Sequence, residues 1–238
     1  MKLVIITGTW GRPNVFELFA QGIKNLKVRG LEIECVVAGS EGKWSRERVK
    51  KHGFHYIEVN NHPLAEKMNA TVLKAKRLKA DYVLCMGSDD IISNELLRVY
   101  YNHYMKEGCD FVGVEDFYFY HPRLNKALYW GGYREAYRKG HTCGAARLLS
   151  KNLLDKLDWR LWEPEYNHGL DTAMQQKLDR INYTKAVLNL KRHNLMAVDI
   201  KSFENMTPFA KWDNSQLIHP DIIFNHFPYV RDCYNKFK

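Results

Sequence analysis

Through its first 86 residues the chain alternates short apolar runs with amphipathic segments, and few folds satisfy that alternation. Residues 3–7, 31–38, 54–59 and 81–86 read as strands, and residues 15–26, 44–52 and 64–78 as helices. The first helix follows Pro13. The third has Pro63 in its first turn and carries Leu64, Met68, Val72 and Leu73 on one face. Strands alternating with helices imply βαβ units and a mostly parallel sheet. In such sheets ligands bind at the carboxyl ends of the strands.

Beyond residue 95 the pattern changes. A helix over 96–105 leads to a strand at 111–114 and then to aromatic segments at 117–121 and 128–130, which read as short mixed or antiparallel strands. Helices over 150–157 and 170–178 flank a Trp-rich loop, Trp159-Arg-Leu-Trp162. A strand at 186–190 precedes an irregular tail containing His193, Asp199, Lys201 and Trp212. With 238 residues, no repeats and no low-complexity linker, the chain reads as one domain, 1–238.

No apolar run approaches the roughly 18 residues of a membrane span, and the N-terminal apolar run reads as a first strand instead of a signal peptide. The five cysteines, Cys35, Cys85, Cys109, Cys143 and Cys233, lack Cys-x-x-Cys spacing. Cysteine-bound metal is therefore not expected, and a reducing, cytoplasmic compartment is. The net charge of +9 is dispersed, which fits a lysine-rich solvated surface with some steering of an anionic substrate.

Four regions carry residues suited to chemistry. Asp81-Tyr-Val-Leu-Cys-Met-Gly-Ser-Asp-Asp90 runs a buried strand into two adjacent carboxylates, with Ile91-Ile92-Ser93 leading toward a helix. Adjacent carboxylates repel unless a cation lies between them, and an oxygen-preferring divalent metal suits that place; a surface turn and helix cap is the plain alternative. The loop Thr7-Gly-Thr-Trp-Gly-Arg-Pro13 joins a strand to a helix N-terminus that attracts negative charge, yet is neither a Walker loop nor a Gly-x-Gly-x-x-Gly turn. Asp171, in His168-Gly-Leu-Asp-Thr-Ala173, either opens a helix or stands beside an acceptor hydroxyl. Trp130, Trp159 and Trp162 are either core or platforms for sugar rings, and His193 is either a metal ligand or a surface residue.

The order of these elements resembles a family 2-like glycosyltransferase of the GT-A fold. Arg12-Pro13 resembles that family's first loop, Lys67-Met-Asn69 its R/K-x-N element and Met86-Gly-Ser-Asp-Asp90 its metal-binding D-x-D region. Residues 144–155 resemble its acceptor-side segment, and Gly169-Leu-Asp171 stands at its E-D motif. The chain departs in having Gly87 at the first Asp of D-x-D, Leu170 at the usual Glu, and Ala38-Gly39-Ser40 where the second strand usually ends in Asp.

The resemblance implies an α/β, mostly parallel Rossmann-like sheet flanked by helices, with a smaller mixed acceptor-side region. Residues 1–95 would form the nucleotide-sugar half, 96–200 the acceptor half and 201–238 a tail. It further implies a hexosyltransferase-type enzyme moving a sugar from a nucleotide diphosphate sugar to a glycan or other hydroxyl acceptor, with inversion. Thr7, Arg12, Lys67, Asn69, Ser88, Asp89 and Asp90 would bind the donor, and Trp130, Arg147 and Trp162 the acceptor. Asp89, Asp90 and His193 would hold a divalent metal, Mn2+ or Mg2+, and Asp171 would be the general base. A sugar-phosphate nucleotidyltransferase, a nucleic-acid-binding protein and a non-catalytic carbohydrate-binding module are the competing readings; no specific nucleic acid partner is expected.

Overall fold

In the computed structural model, residues 1–138, 140–202, 205, 209 and 216–232 are described. Trp212 and Cys233 lie outside them.

The N-terminal elements follow the expected alternation: β1 (Lys2–Gly8), α1 (Pro13–Asn25), β2 (Glu32–Gly39), α2 (Lys43–Lys50), β3 (His55–Glu58), α3 (Leu64–Arg77) and β4 (Tyr82–Cys85). Leu3, Val4, Ile5 and Ile6 of β1 are all fully buried. An unbroken apolar run of this kind suits a central strand covered on both faces. In α1, Phe16, Phe19 and Ile23 pack into the larger core, each worth about 1.5–3 kcal/mol of burial. Glu66 in the first turn of α3 and Lys74, Lys76 and Arg77 in its last complement the helix dipole.

The second half supplies β5 (Asp90–Ile92), α4 (Asn94–Tyr100), β6 (Phe111–Val114), β7 (Phe117–His121), β8 (Lys126–Trp130), β9 (Arg147–Ser150) and α5 (Lys151–Lys156). After these come α6 (Leu170–Leu178), β10 (Lys185–Leu188), β11 (Ala197–Ile200), β12 (Gln216–Ile218), α7 (Asp221–Phe224) and α8 (Pro228–Arg231). Ser93 and Ser150 cap α4 and α5, their hydroxyls accepting from the amides of Leu96 and Leu153.

Seven strands form the main sheet in the order β10-β6-β9-β4-β1-β2-β3. β1 to β4 are parallel, while β9 runs antiparallel between β4 and β6. A five-stranded sheet, β12-β8-β7-β11-β5, lies beside it. Asp90–Ile92 form β5 ahead of α4, with Ile91 and Ile92 buried against the core. One expectation changes. The tail after β10 is not irregular: β11 pairs with both β5 and β7, and its antiparallel register sets Asp199 directly opposite Asp90.

Candidate active site

A cavity of about 430 Å3 opens where β1 and β4 end. Gly8, Thr9 and Arg12 line it from the first loop, Ser88 to Asp90 from the loop after β4, and Arg147 and Asp171 from the second half. The carboxyl ends of parallel strands thus carry the cavity, as open α/β sheets require.

Its acidic part is built by strand register. Asp89 and Asp90 arrive at the end of β4, and β11 brings Asp199 across from Asp90. One carboxylate oxygen from each of the three lies within 4.8 Å of the others. Burial and the charges of Asp89 and Asp199 push the Asp90 carboxyl well above the ordinary range. Burial and Asp89 push Asp199 up to about 6 against the pull of Lys201. Asp89 would also be raised by burial, but Arg12 and Lys201 hold it below its ordinary value. Arg12 places Nη1 2.6 Å from Asp89 Oδ2 and donates from Nη2 to Ser88 Oγ at 3.1 Å, and Asn205 Nδ2 donates to Asp89 Oδ2 at 2.7 Å. Lys201 pairs with Asp199 Oδ2, while Asp199 Oδ1 is buried with no hydrogen-bond partner.

These residues fit a hard divalent cation. Three carboxylates converge, one oxygen lacks a partner, and the repulsion among them is what a bound cation would relieve. Gly87 belongs to the same arrangement: a Cβ there would stand 2.5 Å from Asp89 Oδ1 and 2.8 Å from Asp90 Oδ2. The carboxylates fold back over position 87, so a side chain there would displace them.

The other expected residues divide. Lys67 is buried on the cavity wall, and its Nζ donates to Thr9 O, Ser40 Oγ and Asn61 Oδ1, tying three strand-end loops together. Burial lowers its pKa to about 8. Thr7 is fully buried within β1, and the cavity is lined by its neighbours Gly8 and Thr9. Asn69 turns away from the cavity to the Trp-rich loop: its Nδ2 donates to Trp162 O at 2.7 Å, and its Oδ1 accepts from the amides of Leu161 and Trp162. His193 is exposed on the turn after β10, outside both the carboxylate cluster and the cavity lining.

Trp159 and Trp162 are 1% and 4% exposed and belong to the core; Trp162 also touches the cavity and donates from Nε1 to Leu170 O. Trp130 is half-buried beside Tyr133, their ring centroids 4.8 Å apart. Arg147 is 1% exposed; its guanidinium donates to Thr142 Oγ1, the carbonyls of Thr142 and Cys143, and Asp171 O at 3.0 Å. Its donors are spent on backbone and hydroxyl groups, so it shapes this wall.

Asp171 lies in the first turn of α6, behind Gly169 at φ +69°. Tyr133 Oη donates to its Oδ2 at 3.0 Å, and Arg138 Nη2 lies 2.6 Å from the same oxygen. Burial would raise this carboxyl, yet Arg147, Tyr133 and Arg138 hold it below the ordinary value.

Sequence reasoning assigned no role to Asp199, Lys201, Tyr133 or Arg138. Asp199 carries a faint signal, standing in the short apolar run Ala197-Val-Asp-Ile200. Trp10 is a further one, lining the cavity while 58% exposed.

A mostly parallel sheet of this kind, with a smaller mixed sheet, is the architecture of the GT-A-type glycosyltransferases, and the fold is GT-A-like. Among solved structures it is similar to Staphylococcus aureus TarS 1–349, at 14% identity and a TM-score of 0.64 over 97% of this chain and 64% of that one. TarS 1–349 in complex with UDP-GlcNAc matches at 16% identity and TM-score 0.61, covering 86% of this chain and 60% of that one. Another TarS structure matches at 14% identity and TM-score 0.61, over 97% and 39%. The chain therefore spans less than two thirds of the TarS structures, and at these identities the likeness is one of fold. No protein-family profile and no curated protein matches the chain.

Proposed function

We propose that the chain is a glycosyltransferase that takes a sugar from a nucleotide diphosphate sugar, with the help of a divalent cation, and inverts the anomeric centre. The observation that carries this reading is one cavity lined both by the converging carboxylates Asp89, Asp90 and Asp199 and by the separate carboxylate Asp171. A carbohydrate-binding module needs neither set.

Asp89, Asp90 and Asp199 would hold the cation, Mn2+ or Mg2+; when bound it supplies Lewis-acid neutralisation of the leaving diphosphate. Arg12 and Lys201, both lining the cavity, add fixed positive charge beside the departing group. Lys67 holds the loops of Thr9, Ser40 and Asn61 in place for the nucleoside end. Asp171 takes the proton of the acceptor hydroxyl as general base. A single base acting from the side away from the leaving group gives in-line displacement, hence inversion. The TarS complex makes UDP-GlcNAc the first donor to try. Among the described residues no helix is long and apolar enough to cross a membrane.

The test is thermal stability of the protein with UDP, UDP-GlcNAc, GDP, dTDP or CMP, each with Mn2+ or with EDTA. A ligand at about 100 times its dissociation constant adds about 2.7 kcal/mol, which raises the melting temperature by roughly 5–10 °C in a chain of this size. A rise for one diphosphate that disappears in EDTA supports the reading. A folded sample that responds to none of them overturns it.

A further inference from the structure

The carboxylate assigned as the base is held from one side. Among the described residues its two hydrogen-bond donors are Tyr133 Oη and Arg138 Nη2, and both go to Oδ2. Both come from the segment between β8 and β9, whose Gly144 and Ala145 line the cavity. The Arg138 guanidinium carbon lies 3.4 Å from the Tyr133 ring centroid, and Trp130 meets Tyr133 edge-on at 83°. Trp130, Tyr133 and Arg138 are thus packed in sequence, and the last two end on one oxygen of Asp171. Arg147, from β9, fixes the backbone of the same residue through its carbonyl.

We infer that Tyr133 and Arg138 are positioning residues for Asp171, pinning Oδ2 so that Oδ1 is the atom that receives the acceptor proton. This rests on Asp171 being the base. A carboxylate free to rotate would offer either oxygen, and a base must stay within hydrogen-bond reach of the proton it takes. Two donors on Oδ2 remove that freedom and direct the remaining lone pairs to Oδ1. The groups facing this half-buried carboxylate are Arg147 from β9, then Tyr133 and Arg138 from the segment between β8 and β9, and together they hold it below the ordinary value.

The experiment is carbon-13 NMR titration of the full chain labelled at aspartate Cγ, with the Asp171 resonance identified by its loss in Asp171→Asn. In the wild type this resonance titrates below the ordinary carboxylate range. In Arg138→Met and, separately, in Tyr133→Phe the midpoint moves up, further in Arg138→Met because a charge is lost as well as a hydrogen bond. Midpoints unchanged in both variants overturn the inference. Tyr133→Phe keeps the ring packing, so it answers the question even where Arg138→Met folds poorly. A second readout, release of UDP from UDP-GlcNAc with water as acceptor, separates the two assignments. An acid limb that rises in step with the NMR midpoints, at unchanged UDP affinity, supports positioning. Release undiminished in Asp171→Asn removes the base assignment, while the titration still decides whether Oδ2 is pinned.

Discussion

Asn69 is a residue that the sequence pattern places at the nucleotide and the structure places in the scaffold, and the two roles differ in a measurable way. Its amide makes three hydrogen bonds to the Trp-rich loop: to Trp162 O at 2.7 Å, from Leu161 N at 3.0 Å and from Trp162 N at 3.2 Å. All three are buried. Each is worth about 1 kcal/mol net, but Asn69→Ala leaves two amides and a carbonyl without partners, and each orphaned group costs about 1–3 kcal/mol. With partial relaxation the loss comes to about 3–5 kcal/mol. At about 2–4 °C per kcal/mol for a chain of this length, the melting temperature falls by roughly 6–20 °C. The assay pairs thermal unfolding with UDP titration calorimetry in Mn2+, run well below the variant's midpoint. The expected result is a large drop in stability with UDP affinity within about threefold of wild type. A variant that melts within 2 °C or so of wild type but loses UDP affinity more than about tenfold would return Asn69 to the donor site and refute the argument.

Two further outcomes follow from the cavity's titrating groups. The Asp90 carboxyl is raised in the folded state, so its contribution to stability is full below the ordinary carboxylate pKa and is lost as pH rises through the raised one. Asp90→Asn, measured without metal, should therefore match wild type in melting temperature near pH 4 and exceed it progressively toward pH 8, while gaining less from Mn2+; a gap that does not change with pH would refute this. Lys67 has a pKa of about 8 and three acceptors around it. UDP affinity should weaken as pH rises from 7 to 9 and the ammonium loses its third donor, and Lys67→Met should bind weakly with no such dependence. Equal pH dependence in the two proteins would show that another group titrates.

The parts of the fold legible in the sequence are those whose burial comes from local pattern. β1 is apolar throughout because both of its faces are covered, and α3 announces itself by one apolar face and charged ends. β9 is not legible in this way: Arg147-Leu-Leu-Ser150 gains strand character from lying between β4 and β6. The acidic site shows the same division. Asp89 and Asp90 stand at the end of a recognisable strand, whereas Asp199 reaches them only through the pairing of β11 with β5, a register that neither segment reveals alone. His193 stands on the exposed turn between β10 and β11, near in sequence to the third carboxylate but outside the cluster. The tryptophans mislead for a related reason. Clustering near polar loops suits a sugar platform and a core staple equally, and what separates them is the Asn69 side chain arriving from α3 to close the loop over Trp159 and Trp162.

The balance of charge along the cavity bears directly on the need for a cation. Three carboxylates converge there, and two cations, Arg12 and Lys201, are already engaged with Asp89 and Asp199. At 4.8 Å two like charges repel by about 3.5 kcal/mol at an effective dielectric constant of 20. Burial first, and this repulsion after it, raise the Asp90 and Asp199 carboxyls. A diphosphate entering without a cation would add negative charge to the same place, and its affinity would then rest on the nucleoside end around Thr9, Asn61 and Lys67. A divalent cation held by Asp89, Asp90 and Asp199 would screen that repulsion and supply positive charge for the diphosphate. Around Asp171 the balance is opposite: one carboxylate faces Arg147 and Arg138, which hold its pKa below the ordinary value. On the proposed function the two regions would take different partners, a cation at one and a hydroxyl that gives up its proton at the other, which is the asymmetry a transfer from diphosphate to hydroxyl requires.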